Sequence, residues 1–169
     1  MPLGLTLPSK LGKALPDGLQ WAIYRCFLPA GGHTVAEAMV AGDCVAVADA
    51  SLKDLFGTAS FVLEGKDEVN RIPGVNITPG PLVEGDSYRC ELSGLIGAMA
   101  IVLTLCQSHS ITQGGMTVAC DNISTLRIFR PGFVPEPSAE SFDLVCCLHS
   151  LVTKIPITLL YSFGSVDRL

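Results

Sequence analysis

The sequence predicts an α/β protein in which helices flank one mixed β-sheet. Two short β-rich runs in the first half of the chain follow each other around a turn, which is typical of an antiparallel hairpin. A long apolar stretch that starts at Glu91 has the length of a helix rather than of a strand. Strand-type and helix-type segments then alternate, as they do where crossover helices join parallel strands.

The composition is that of one compact domain. The chain has 169 residues, of which 49% are hydrophobic and only 16% are charged, so it can bury a full-sized core. Its net charge of −5 argues against an extensive phosphate-binding surface, because such surfaces need clustered Lys and Arg. A partner protein or another segment would have to supply that positive charge.

The cysteines predict a reducing compartment. There are seven, an odd number, and none shows the CxxC or Cys/His spacing of a zinc site. With no recognisable secretory leader, this pattern favours an intracellular protein, cytoplasmic or nuclear, over a secreted one. The apolar stretch Leu92–Cys106 is shorter than the ~20 residues that span a bilayer, so it predicts a buried helix and no membrane association.

The domain is predicted to span residues 41–169, after a lead-in over residues 1–40 that we interpret as a linker from an upstream domain. Within the lead-in, Thr34–Val40 predicts a short helix, with Thr34 as its N-cap and Glu37 in the capping-box position.

The first half of the domain predicts three strands and a helix. Cys44–Ala50 and Gly57–Leu63 form the hairpin, with Ser51–Phe56 as the turn between them. Val69–Ile77 is a weaker third strand, which Pro73 places at a sheet edge. The long helix then starts after a cap at Asp86 or Ser87 and ends near Gln107.

The second half predicts two further strands, which makes five in all. Met116–Cys120 is the fourth strand, with a short helix near Asn122–Phe129 after it. Glu140–Thr153 is apolar at helical spacing, and Ile155–Phe163 is the fifth strand. No C-terminal helix is expected after it.

Three acidic residues stand where apolar segments begin or end. Asp49 follows the first β-rich run, Glu91 opens the long helix and Asp121 follows the fourth strand. A carboxylate at the edge of an apolar element is costly to desolvate unless it is paired or bound to a cation. If these three meet at one rim of the sheet, they can hold hard divalent ions, Mg²⁺ or Mn²⁺, through oxygen ligands.

Each acid also has an ordinary structural interpretation. Asp49 can begin a turn, Glu91 can complement the helix macrodipole, and Asp121 can be the N-cap of the helix that follows. Only the three acids taken together favour a shared site.

The order of elements, with acids at these junctions, resembles the ribonuclease H fold, and above all the ribonuclease H-like domain that follows reverse transcriptase in retrotransposon polyproteins. The resemblance runs from about Ala41 to the C-terminus. It is carried by four segments in order, which are Val47–Ser51 with Gly57–Ala59, Thr78–Gly80, Ser87–Leu95, and Cys120–Asn122 with Leu126.

The resemblance implies a two-metal nuclease that cuts the RNA strand of an RNA–DNA hybrid beside an upstream reverse transcriptase domain. Asp49, Glu91 and Asp121 would be catalytic metal ligands, and Asp167 would be the fourth. Ser165 stands where related domains typically carry a histidine, and a hydroxyl cannot shuttle protons as an imidazole does.

Three further residues are candidates for substrate contact. Ser51 can contact the nucleic-acid backbone or end a turn, and Asn122 can bond the 2′-hydroxyls of RNA or cap a helix. Arg89 can contact phosphate or be a solvated surface residue. His33, His109 and His149 are interpreted as structural.

Two alternatives to a hybrid nuclease remain open from the sequence. One is a degenerate domain that keeps the fold and serves as a scaffold or interaction module. The other is a different polynucleotidyl transferase of the same superfamily, of integrase or resolvase type, which would act on duplex DNA.

Overall fold

In a computed structural model, residues 15, 17–83 and 86–164 of the chain are described. They contain one mixed six-stranded sheet, whose strands in chain order are β1 (Arg25–Cys26), β2 (Cys44–Lys53), β3 (Phe56–Glu64), β4 (Ile72–Ile77), β5 (Gly115–Cys120) and β6 (Thr158–Phe163). Across the sheet their order is β1-β4-β3-β2-β5-β6. Strands β1 to β4 pair antiparallel, whereas β5 runs parallel to β2 on one side and to β6 on the other. The mixed α/β sheet expected from the sequence is therefore confirmed, with one strand more than predicted.

The central hairpin is longer than expected. Strand β2 runs over Cys44–Lys53 and β3 over Phe56–Glu64, so only Asp54 and Leu55 remain in the turn. Both have positive φ values, 52° and 62°, as the two central residues of a type I′ hairpin turn require. The predicted turn over Ser51–Phe56 is wrong because this pair lacks the Asn-Gly or Asp-Gly signal that usually marks such turns.

The sixth strand lies in the lead-in. Strand β1 consists of only Arg25–Cys26 and pairs with β4, Ile72–Ile77, so β4 is not at the edge of the sheet as Pro73 suggested. The Pro73 carbonyl accepts a hydrogen bond from the Phe27 amide at 3.0 Å, just beyond β1. The nitrogen of Pro73 points to the same side, so its missing N–H costs no hydrogen bond in the ladder with β3. A strand of two residues is too short to produce an alternating pattern in the sequence.

The described part of the lead-in packs into the same core as the sheet, and Leu15 and Leu19 are its first buried side chains. A 3-10 turn over Gln20–Ile23 precedes β1, and helix α1 spans His33–Ala41. The N-cap of α1 is Gly32 at φ 78°, not the predicted Thr34, whose Oγ1 accepts a hydrogen bond from Asn70 Nδ2. The division at residues 40 and 41 stays a prediction.

Helix α2, Ser87–Ser108, is the core of the molecule. Every residue from Cys90 to Cys106 is buried, against β2, β3 and β4 on one side and against helix α4, Phe142–Lys154, on another. It is long and apolar enough to cross a membrane by length and composition, but 94% of its most apolar window is buried within the protein. These features are those of a core helix.

The remaining elements complete the crossovers. Strand β5 covers Gly115–Cys120, and helix α3, Ile123–Leu126, continues into a 3-10 turn over Arg127–Phe129. Strand β6 covers Thr158–Phe163, three residues shorter at its start than predicted. The described part ends at Gly164, directly after β6, so the expectation that no C-terminal helix follows concerns residues outside it.

Candidate metal centre

Glu91 lies in the second turn of α2 with its side chain turned into the protein. The residue is only 8% exposed, and its Oε2 accepts a hydrogen bond from the Cys120 thiol, with Sγ at 3.6 Å. Cys120 is the last residue of β5, so this contact joins the start of the core helix to the end of a central strand. The carboxylate is therefore held at the end of β5, next to Asp121.

Glu91, Cys120 and Asp121 form a group of potential metal ligands within the described part of the chain. One ligand atom from each residue lies within 4.8 Å of the corresponding atoms of the other two. Glu91 and Cys120 are buried, whereas Asp121 is exposed. Two acids separated by 30 positions in the sequence thus come close enough to share a cation.

Asp49 stands beside this group through the register of the sheet. Val47 pairs with Ala119 across the parallel β2–β5 ladder. Asp49 and Asp121 each come two residues after this pair, so they lie at the same distance along the two neighbouring chain segments. The Asp49 side chain is exposed, and its Oδ1 accepts a hydrogen bond from the Ala50 amide at 2.9 Å. Asp49 is not at the end of its strand, as expected, but at the level where β5 ends.

Gly94 brings the helix that carries Glu91 close to the strand that carries Asp49. A Cβ at Gly94 would lie 3.6 Å from the Asp49 carbonyl oxygen and 3.2 Å from the Ala59 Cβ. Glycine at this point lets α2 approach β2 and β3 one turn after Glu91. The close packing brings the segment of α2 that follows Glu91 next to the backbone of Asp49.

Burial, together with the nearby negative charges, raises the pKa of Glu91 to about 7. Burial is the main cause, and the charges of Asp121 and then Asp49 add to it, while the hydrogen bond from Cys120 opposes it. The influence of Asp49 on this pKa shows that the third acid is within electrostatic reach of Glu91. A cation at this site would reverse the effect by favouring the ionised carboxylate.

Cys120 was not identified as a site residue from the sequence. Burial raises the pKa of its thiol to about 11, so in the metal-free protein at neutral pH it is a protonated hydrogen-bond donor. Its position directly before Asp121, on the buried side of β5, is the signal that could have revealed it. The charged donors of the site are then carboxylate oxygens, which suit hard ions such as Mg²⁺ and Mn²⁺.

Asn122, and not Asp121, is the N-cap of α3. Its Oδ1 accepts a hydrogen bond from the Thr125 amide at 3.1 Å, which rules out the capping interpretation of Asp121. Thr125 is buried, and its hydroxyl donates to the Asn122 carbonyl and contacts the Cys120 sulfur at 3.5 Å. The Asp121 carboxylate is therefore not used as a helix cap.

Arg89 is less accessible than a surface residue of the helix would be. Its guanidinium forms a bidentate pair with Asp143 of α4, at 2.8 and 2.7 Å, and its Nε donates to the Pro79 carbonyl at 2.8 Å. The side chain is 12% exposed. Asp143, which sequence reasoning did not single out, thus ties α4 to the first turn of α2.

The other predicted residues are placed as follows. Ser51 lies within β2, not in a turn, and it is exposed on the same face as Asp49. Asp167, together with Ser165, lies outside the described residues. His33 pairs with Glu37, and His109 approaches the Gly31 carbonyl, at contacts away from the acids.

No protein-family model and no curated protein sequence matches the chain. Among solved structures, the N-terminal ribonuclease H domain of a Mycobacterium tuberculosis protein, fused to maltose-binding protein, superposes with a TM-score of 0.50 at 15% identity, over 74% of this chain and 84% of that one. Ribonuclease H1 from the archaeon Halobacterium salinarum gives 0.49 at 13% identity, covering 71% and 85%. A ribonuclease H1 isolated from a compost metagenome gives 0.45 at 13% identity, covering 72% and 85%. The mixed sheet, its flanking helices and the first of these superpositions show that the chain has a ribonuclease H-like α/β fold.

Proposed function

We propose that this chain is a metal-dependent endonuclease that cuts the RNA strand of RNA–DNA hybrids. The observation that carries the proposal is the meeting of Glu91 and Asp121, with Asp49 level with Asp121 on the neighbouring strand. The ribonuclease H-like fold supports the assignment, because the acids lie at the junctions where the resemblance expects metal ligands.

Asp49, Glu91 and Asp121 would hold the metal ions, Mg²⁺ or Mn²⁺. When bound, a pair of such ions activates a water molecule and stabilises the leaving oxygen of an in-line displacement. The protein's own part is to bring the carboxylates to one rim and to keep their oxygens available. Asn122 keeps the Asp121 oxygens available by capping α3 in its place, and Cys120 holds the Glu91 carboxylate at the end of β5 by donating a hydrogen bond to its Oε2.

Asp167 remains the proposed fourth acid, and Ser51 remains a candidate for substrate contact because it is exposed two residues beyond Asp49. Asn122 and Arg89 also remain candidates. Their side chains already have structural partners, so they would contact the substrate only through remaining donors or after those bonds break.

We further propose that the domain belongs to a retroelement polyprotein with an upstream reverse transcriptase domain, and that it acts in an intracellular, reducing compartment. The four motif segments support the first statement, and the seven free cysteines support the second.

The direct test is incubation of the protein with an end-labelled RNA–DNA hybrid and Mg²⁺. We expect cleavage of the RNA strand, abolished by Asp49→Asn and by Asp121→Asn. Asp43→Asn is the matched control, because Asp43 is an exposed aspartate just before the same strand. Absence of cleavage, or equal cleavage by the Asp49→Asn variant, would contradict the proposal, and cleavage of duplex DNA instead would favour a different nuclease of this fold.

A catalytically degenerate scaffold is the second candidate function. One observation favours it. Arg89, the arginine within the Ser87–Leu95 segment, is already bound to Asp143 and to the Pro79 carbonyl. The chain has a net charge of −5, so few other cations could replace Arg89 as a phosphate contact. Calorimetric titration with Mg²⁺ or Mn²⁺ separates the two. Binding that is lost in Asp121→Asn supports the nuclease, and absence of binding supports the scaffold.

A further inference from the structure

The open face of the sheet carries a groove that leads away from Asp49. Its volume is about 410 Å³, and it is lined by residues of β1, β2, β3 and β4 together with Tyr24, which precedes β1. Helix α2 packs against the opposite face, where the side chains of Ala48, Ala59 and Phe61 are buried. The groove is therefore a surface outside the packed core, and it begins at one of the three acids.

The register of the sheet defines the two rows of side chains in the groove. Asp49 pairs with Ser60, Ser60 with Val75, and Val75 with Arg25, which places one row across four strands. Ser51 pairs with Thr58 and Thr58 with Ile77, which forms the next row. Directly paired residues point to the same face, so both rows line this surface.

Three kinds of side chain line the groove. Exposed apolar side chains of β4, Val75 and Ile77, lie beside the hydroxyl side chains of β2 and β3, which are Ser51, Thr58 and Ser60. Two exposed aromatic rings also line it, Tyr24 at 59% exposure and Phe56 at 56%. Hydroxyl groups beside apolar and aromatic surface suit a ligand with flat rings and a polar backbone.

Positive charge is also placed on this face. Arg25 is exposed at the end of the first row, with its guanidinium 5.6 Å from the centre of the Tyr24 ring. Lys53 is exposed on β2 and pairs with Phe56. Arg71 and Arg89, by contrast, are held in ion pairs with acidic residues elsewhere.

We propose that this groove binds a single nucleic-acid strand that extends beyond the hybrid segment at the metal centre. Bases would stack on Tyr24 and Phe56, and Arg25 would contact a phosphate. Aromatic stacking combined with scattered cations is how proteins hold single strands without reading their sequence. The first row spans three strand spacings, about 14 Å, so a strand of a few nucleotides can lie along it.

This inference rests on the proposed function, because it takes Asp49 as one end of the substrate path. The test of this inference measures binding and not cleavage, so the inference about the groove and the proposed nuclease activity can fail separately. The probes are short fluorescein-labelled RNA–DNA hybrids, one blunt and two carrying a single-stranded RNA extension at the 5′ or the 3′ end. Fluorescence anisotropy in EDTA gives the affinity of each without turnover.

We expect one of the extended hybrids to bind about tenfold more tightly than the blunt one, since stacking on an aromatic ring contributes that much per base. Tyr24→Ala and Phe56→Ala should each remove most of this gain. Phe27→Ala is the matched control, because Phe27 is 50% exposed, lies next to Arg25 and β1 in the sequence, and does not line the groove. Arg25→Ala should weaken binding and reduce its salt dependence, whereas Arg130→Ala, at an exposed arginine outside the groove, should change neither.

Photo-crosslinking gives an independent readout. A 5-iodouridine placed in the extension should crosslink to Tyr24 or Phe56, as identified by mass spectrometry. Equal affinities for blunt and extended hybrids would overturn the inference, and so would a gain that survives both aromatic substitutions. If Asp49→Asn leaves cleavage unchanged while these binding effects hold, the proposed metal centre fails and the groove remains a nucleic-acid site.

Discussion

The Cys120 thiol donates a hydrogen bond to Glu91 Oε2 across 3.6 Å, and this contact connects the last residue of a central strand to the second turn of the core helix. The bond lowers the pKa of a carboxyl that burial and two neighbouring acids raise. The hydrogen bond from the uncharged Cys120 thiol therefore partly offsets the rise in the Glu91 pKa that burial and the two acids cause.

Substitution of Cys120 should change the proton affinity of Glu91. In Cys120→Ala the carboxylate loses its donor, so we expect the Glu91 pKa to rise above that of the unmodified protein. Cys120→Ser keeps a donor of similar size and should leave the pKa at or below its original value. NMR titration of the Glu91 side-chain carboxyl carbon in EDTA measures both, and a lower pKa in Cys120→Ala would contradict the contact.

The stability of the metal-free protein should fall as the pH rises toward neutrality. The pKa of Glu91 is about 7 in the folded protein and 4.5 in an unperturbed chain, so the folded state holds its proton more tightly. The stabilisation is fully present below pH 4.5 and is lost as the pH rises through 7. At about 1.4 kcal/mol per pKa unit, the free energy of unfolding loses up to about 3 kcal/mol from this residue.

Urea unfolding in EDTA at several pH values checks this dependence. Glu91→Gln imitates the protonated side chain, so in this variant the free energy of unfolding should fall much less as the pH rises. Glu37→Gln, at an exposed glutamate of α1, should keep the loss unchanged. An identical pH profile for Glu91→Gln and the unmodified protein would show that the Glu91 carboxyl is not the source.

The two glycines of α2 that face the sheet should differ in their tolerance of a methyl group. A Cβ at Gly97 would lie 2.4 Å from Phe61 Cε1 and 2.7 Å from the Ala22 carbonyl oxygen, so backbone has to move. At Gly94 the nearest atom is the Ala59 Cβ at 3.2 Å, which needs only a small shift. We expect Gly97→Ala to cost about 2 kcal/mol or more and Gly94→Ala less.

Chemical denaturation of both variants measures this difference, with Ser150→Ala at an exposed position of α4 as the control for helix propensity. A Cβ at Gly94 would also lie 3.6 Å from the carbonyl oxygen of Asp49. We therefore expect Gly94→Ala to lower the affinity for the metal ion more than Gly97→Ala does, when the two variants are compared at the same fraction of folded protein. The reverse order of stability would mean that α2 lies differently on the sheet.

The ion pair between Arg89 and Asp143 should stabilise the junction between α2 and α4. It is bidentate and its arginine is 12% exposed, so a double-mutant cycle with Arg89→Ala and Asp143→Ala should give a coupling of about 1 kcal/mol. The exposed His33–Glu37 pair, at 63% and 68% exposure, should give less than about 0.5 kcal/mol. Equal couplings for the two pairs would contradict the structural role of Arg89.

The sequence by itself determined the arrangement of the main elements, and it singled out Glu91 and Asp121, the two acids that the structure brings together. Apolar periodicity reports which face of an element is buried, so it located the core helix and the five longer strands to within a few residues. Asp49, Glu91 and Asp121 stood out because a charged group beside an apolar run is unusual, whatever its distant neighbours are.

Only the tertiary structure decided what depends on packing between distant segments. The two-residue strand at Arg25 exists because β4 offers it a free edge, and two residues carry no periodic signal. The pairing of Arg89 with Asp143, 54 positions away, and the donation from Cys120 to Glu91 depend on how α2 lies against α4 and β5. Such contacts are set by side chains brought together by the whole core, so no local pattern in the chain can encode them.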